Sequence, residues 1–173
     1  MSDRKKQLLE RLETFFVNDE EVEEASIFTA EELGTPMDIL RVLVTGYGPG
    51  LIDALAEYSF VPFEGPQEVW YFSSVITIMT DIPKDGVLPL SGAIARLNFF
   101  LPYGSFSISR DGTMLVYKAV TALRADHDDE KLYEDIELAA DTALLVAEDQ
   151  TLLLTQVANG ELLLNDYLES LPE

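Results

Sequence analysis

The stretch from Glu68 to Ile82 constrains the fold more than any other. Trp70, Phe72, Ile76 and Ile78 fall on one side of an extended chain, and Val69, Tyr71, Val75 and Met79 on the other. A strand apolar on both sides is expected to be central in a sheet and covered on both faces. The apolar run from Val69 to Met79 is too short to cross a bilayer as a helix.

The neighbouring segments supply the rest of such a sheet. Ile39 to Tyr47 is rich in β-branched residues and ends in the turn cluster Gly46 to Gly50. Leu51 to Phe63 begins ambiguously, because Ile52, Leu55 and Ala56 also suit a helix, but Tyr58, Phe60 and Val61 favour a strand; Pro62, Gly65 and Pro66 then force a turn. Ser105–Ser109 and Thr113–Ala122 predict a hairpin across Asp111 and Gly112.

Helices are expected at both ends and in the middle. Leu8, Leu9, Leu12, Phe15 and Phe16 share one helical face, with Ser2 and Asp3 as caps. Leu88 to Phe100 reads as a helix stopped by Pro102. Asp128 or Asp129 starts a long helix through Leu132, Ile136, Ala140 and Leu154 that stops at Asn159 and Gly160, and Leu162 to Leu171 forms a short last one. Residues 19–38 hold eight acids and no base, and read as a solvated connector with one helical turn. The expectation is one α+β domain over 1–173, an antiparallel sheet of about five strands flanked by helices, in the order α-β-β-β-α-β-β-α with a short final helix.

Charge excludes whole classes of partner. With 32 acids against 11 bases the net charge is −21, which repels nucleic acid and anionic membrane. Ala125 to Glu173 holds 14 acids and one base, Lys131. The absence of cysteine removes disulfides and thiolate chemistry and favours a reducing, cytoplasmic setting. Leu8, Leu9 and Leu12 alternate with charges, so no signal peptide is expected.

One local pattern resembles a known family. Leu97, Asn98, Leu101, Pro102, Gly104, Ser105 and Phe106, followed by Asp111, Gly112, Val116 and Tyr117, are similar to the motif of YbjN-like bacterial sensory-transduction regulators, which share the type III secretion chaperone-like fold. The resemblance implies a small acidic homodimer that binds partner polypeptides without catalysis. The longer acidic connector and extended C-terminus depart from the secretion chaperones.

Catalytic and metal motifs are weak. His127 is the only histidine, so every histidine-based scheme depends on it, and its setting reads as a solvated loop. Asp126, Asp128, Glu130 and Glu137 approach a calcium-loop spacing, but Lys131 stands where the loop needs glycine. Gly46, Gly48 and Gly50 lack the spacing of a dinucleotide site and contain Pro49. No catalytic, cofactor or metal residue is therefore expected. The function expected is a protein-binding module acting through apolar surface and a strand edge; the rival is a small-ligand binder or enzyme with a pocket between sheet and helices. The helix from Leu88 to Phe100 is apolar nearly all round, so Leu90, Ile94, Leu97, Phe99 and Phe100 are expected at a dimer or partner interface.

Overall fold

The computed structural model of the chain describes residues 3–63 and 68–171. Ser2, Gly65 and Pro66, assigned above to a cap and a turn, lie outside the described residues. The elements run α1 (Asp3–Val17), β1 (Val22–Phe28), α2 (Ala30–Leu33), β2 (Ile39–Tyr47), β3 (Ile52–Phe60), β4 (Val69–Met79), α3 (Val87–Leu97), β5 (Ser105–Ile108), β6 (Leu115–Arg124), α4 (Asp129–Asn159) and α5 (Leu164–Ser170). Six antiparallel strands form one sheet in the order β1-β2-β3-β4-β6-β5. The class is α+β, as expected, with one strand more than the sequence suggested.

The additional strand lies in the acidic connector. Val22–Phe28 pairs with β2, Ile27 opposite Leu40 and Ser26 opposite Arg41. Its acids suit a solvated chain, but Glu23 and Glu24 sit on an edge strand, where charge is tolerated because water remains in reach. The helical turn that follows is α2, closed by a capping box between Thr29 and Glu32 and by Gly34 at φ 63°.

All the long helices lie on one face. α1 covers β1 to β3, α4 crosses β4 and β6, and α3 packs on β5, α4 and α5. The core is the layer between: Leu40, Val42, Ala56, Tyr58, Phe72, Ile76 and Tyr117 from the sheet against Leu12, Phe16, Ile136, Ala140 and Ala143 from the helices. The rings of Phe16, Tyr58 and Phe72 stack in sequence with centroids 5.3 and 6.0 Å apart. Pairs of this kind contribute roughly 0.5–1.5 kcal/mol beyond area burial.

Two expectations are corrected. β4 is central, but only one of its faces is fully covered: Phe72, Ser74, Ile76 and Ile78 are buried, whereas Val69, Tyr71, Val75 and Thr77 are half-buried on a face with no described helix over it. α3 ends at Leu97 rather than Phe100: Asn98 keeps a helical backbone as its cap, and beyond it Phe99 and Phe100 N–H bond Arg96 and Leu97 C=O, three residues back, in a turn. The second side of α3, which seemed to call for another molecule, is covered by α4 and α5; Tyr167 is fully buried there, and Leu164 packs on Gly92.

Candidate functional site

The site is built where β5 stops short of β6. Ala125 N–H donates to Glu68 C=O, and Ser109 N–H donates to Met114 C=O. In an antiparallel ladder this parity repeats every second residue, so odd-numbered β6 residues bond towards β4 and even-numbered ones towards β5. β5 reaches only to Ser105, opposite Lys118. The backbone N–H and C=O groups of Val120 and Ala122 therefore point outward past its end, and no described residue bonds them.

The reason β5 is short is local. Gly104 has φ 67°, a conformation that favours glycine, and a Cβ there would lie 2.2 Å from the Tyr117 hydroxyl. The chain thus turns away over Tyr117, whose hydroxyl donates to Tyr103 C=O at 2.6 Å. Burial, then the nearby Tyr103, pushes the Tyr117 phenol up to about 12. Asn98 closes the outer side of β5, accepting from Phe106 N–H at 2.8 Å and donating to Phe106 C=O at 3.0 Å. Asn98, Gly104 and Tyr117 are thus the residues that shorten and seal β5.

Beneath the open stretch of β6 lies a cavity of about 390 Å³ between the strand and α4. Leu123, Leu138 and Ala139 give it an apolar wall, and Tyr103 reaches across to Thr121 with their hydroxyl oxygens 2.5 Å apart. Arg124, His127 and Asp135 line the same cavity. The turn bearing His127 is clamped from α1: Arg4 donates to Ala125 C=O at 2.7 Å, to His127 C=O and to the Asp129 carboxylate. The His127 side chain is half-buried, not solvated as expected; its Nδ1 sits 3.5 Å from Asp135 Oδ2 and has no hydrogen-bond partner among the described residues. Asp135 is also paired with Lys131 at 2.9 Å. Arg124 is paired with Asp126, and that bond holds the Asp126 carboxyl below its ordinary value.

The acids of the calcium-like spacing diverge. Asp126 bonds Arg124, Asp128 caps α4 through Lys131 N–H at 2.8 Å, and Glu130 meets Arg11. Among the described residues no three His, Asp or Glu side chains come together as metal ligands. Gly46 lies within β2 where its register to β3 shifts between Val44 and Tyr47, and Gly48 in the turn that follows; both have positive φ. Of the interface residues expected on α3, Leu90, Ile94 and Leu97 are buried within the chain, Phe100 is half-buried, and Phe99 is 78% exposed. Arg96 lies over both phenylalanine rings.

Sequence reasoning found the β6 strand but not its open stretch, which depends on where a neighbouring strand ends. The available signal was the length mismatch between the two arms of the hairpin, four residues against ten. No protein-family model, curated protein or solved structure matches the chain. Among the described residues no helix is long and apolar enough to cross a membrane.

Proposed function

We propose that the chain is a non-enzymatic protein-binding module, chaperone-like or regulatory, that works in the cytoplasm and takes an extended segment of a partner polypeptide against β6. The observation that carries this reading is the pair of outward-facing backbone groups at Val120 and Ala122. A peptide laid there continues the line of β5 by strand addition, in which main-chain bonds supply affinity and pockets for alternate side chains supply specificity. The cavity walled by Leu123, Leu138 and Ala139 provides one such pocket. The charge of −21 favours a segment carrying basic residues and disfavours nucleic acid.

A small-ligand binder or enzyme is the second reading, favoured by the convergence of His127, Asp135 and Arg124 on one cavity. Val120→Pro separates the two, because Ala122 lines the cavity and Val120 does not. Proline at 120 removes an outward N–H that is not used in the ladder to β4 and leaves the cavity side chains in place. Peptides selected from a displayed random library on the native protein should lose at least about tenfold in affinity for Val120→Pro, with the Val120 and Ala122 amides protected from exchange only in the native complex. Selected peptides that bind Val120→Pro equally well would sink the strand-addition reading and leave the cavity itself as the site.

A further inference from the structure

On the side of α4 away from β6, a second cavity of about 300 Å³ opens between the start of β1, the inner face of β2 and the middle of α4. Phe16, Val22, Val44 and Leu144 give it apolar walls, and the Tyr47 hydroxyl ties β2 to α4 there by donating to Leu144 C=O. Its charged lining residues are all acids. Asp141 and Glu148 stand seven residues apart, about two turns along α4, and both are half-buried. Asp19 and Glu21 come from the connection between α1 and β1. None of the four takes part in an ion pair among the described residues. A buried hydroxyl is an independent sign of a ligand. Tyr58 is 0% exposed, and its hydroxyl has no hydrogen-bond partner among the described residues. A buried polar group left unmatched calls for an explanation. The Tyr58 ring lies flat against Phe16, a wall of the cavity, with centroids 5.3 Å apart. Burial, then Tyr47 and Asp141, pushes its phenol up, and both of those residues also line the cavity, so the hydroxyl end of the ring is the end turned towards it. We propose that this cavity binds a small organic ammonium ion, a primary amine carried on an apolar stem.

The combination of walls and charges selects this class. Half-buried carboxylates hold negative charge where water is partly excluded, so a cation gains more beside Asp141 and Glu148 than at the open surface. The field of the whole chain, at −21, draws cations towards such a cleft. A bare metal ion needs several oxygen ligands converging on one point, and among the described residues no three His, Asp or Glu side chains do so. The acids are instead spread around an apolar space, which suits a charge that has a body: the stem replaces water against Phe16, Val44 and Leu144 while the head stays among the carboxylates. The Tyr58 hydroxyl oxygen offers an unused acceptor for an ammonium N–H. Size points to a free small molecule, because about 300 Å³ is at the lower end of the ~300–1,000 Å³ of ligand sites. The adjoining edge points the same way. A lysine presented by an extended partner segment would need β1 beside it to pair, but the Glu13 carboxylate already accepts from Ile27 N–H at 3.0 Å, and a bulge between Val22 and Glu24 breaks the ladder.

The inference does not rest on peptide binding at β6, and the two can fail separately: Val120→Pro should abolish the first and leave amine binding unchanged. The test is calorimetric titration of the full chain at low salt with phenethylammonium, with its neutral analogue phenethyl alcohol, and with methylammonium, which has the charge but no stem. Phenethylammonium should bind at a single site at least about tenfold more tightly than either of the others, and should shift the amide signals of Val22, Leu144 and Leu145. Asp141→Asn should weaken its binding at least about tenfold. Tyr58→Phe removes a hydroxyl that has no partner in the free protein, so it should fold as the native chain does and weaken binding about fivefold. An alcohol that binds as tightly as the amine overturns the proposal, because the cavity then reads only the apolar body. Methylammonium that binds as tightly, and is displaced by about 150 mM salt, overturns it in favour of an acidic surface gathering counterions. Absence of saturable binding below about 10 mM, or affinity unchanged in both variants, overturns the site itself. A short lysine peptide blocked at both ends that binds more tightly than phenethylammonium overturns the free amine in favour of a partner's side chain.

Discussion

At the β1 end of the sheet the outermost strand is closed by its own chain, whereas at the β6 end part of a strand is left open. β1 is protected three times over: α1 lies along it, the Glu13 carboxylate accepts from Ile27 N–H at 3.0 Å, and a bulge between Val22 and Glu24 breaks the ladder. Glu23 and Glu24 add charge. Each device discourages another strand from pairing there. β5 is closed at Phe106, by Asn98. Only a few residues farther along, Val120 and Ala122 have no such cover among the described residues. The same chain seals two edges with side chains and leaves a third beside a cavity, so the open stretch stands out as a place for pairing.

The largest way to break this contrast is Asn98→Ala. It removes two part-buried hydrogen bonds to Phe106 and leaves its N–H and C=O unmatched. At about 1 kcal/mol per bond the loss should be roughly 2 kcal/mol, read as a lower urea midpoint at unchanged slope. Asn98→Asp keeps the acceptor for Phe106 N–H and should lose less. A drop of under a few tenths of a kcal/mol would mean that water closes β5 as well as the amide does.

Glu13→Ala tests the other edge and should cost about 1 kcal/mol, with the Ile27 amide exchanging faster than its neighbours. Glu13→Gln retains an acceptor oxygen and should recover most of the loss. If alanine and glutamine behave alike, the carboxylate at 3.0 Å is not what protects β1.

The contrast also explains which parts of the molecule could be read from the sequence. β4, the hairpin and α4 were legible because their signals are local: alternation, the Asp111 and Gly112 turn, and Asp128 with Gly160 as caps. β1 was not legible, because its acids suit an edge only when β2 is already beside it. The end of α3 is not legible because the apolar periodicity continues to Phe100, while the chain there tightens into a turn with bonds to the third residue back. The coverage of β4 was overstated because an apolar face looks the same whether a helix or a second sheet is meant to cover it. For the site, His127 is legible as a candidate but its surroundings are not, since Tyr103 and Leu123 join it at one cavity only once β6 and the segment before β5 are in place.

The two cavities flanking α4 extend the contrast to charge, and give the smallest of the expected effects. The one beside β6 mixes Arg124 and His127 with Asp135; the one beside β1, about 300 Å³, has only acids among its charged lining residues, Asp19, Glu21, Asp141 and Glu148. There the Asp141 carboxyl is held above its ordinary value, first by burial and then by the charges of Glu137 and Asp19. A carboxyl raised in the folded state binds its proton more tightly than in the unfolded chain. Its contribution to stability is therefore full below the unfolded value, near pH 4, and is lost as pH rises through the folded value. At neutral pH the ionised Asp141 thus costs stability. Asp141→Asn should raise the unfolding free energy at pH 7 by a few tenths of a kcal/mol, kept below ~1 kcal/mol because water still reaches the group. The gain should vanish when both proteins are unfolded below pH 4. Asp135→Asn in the other cavity should give no such gain, because it removes a partner from Lys131 instead of relieving repulsion among acids. Equal gains from the two substitutions would show that the two sides of α4 do not differ in charge as described.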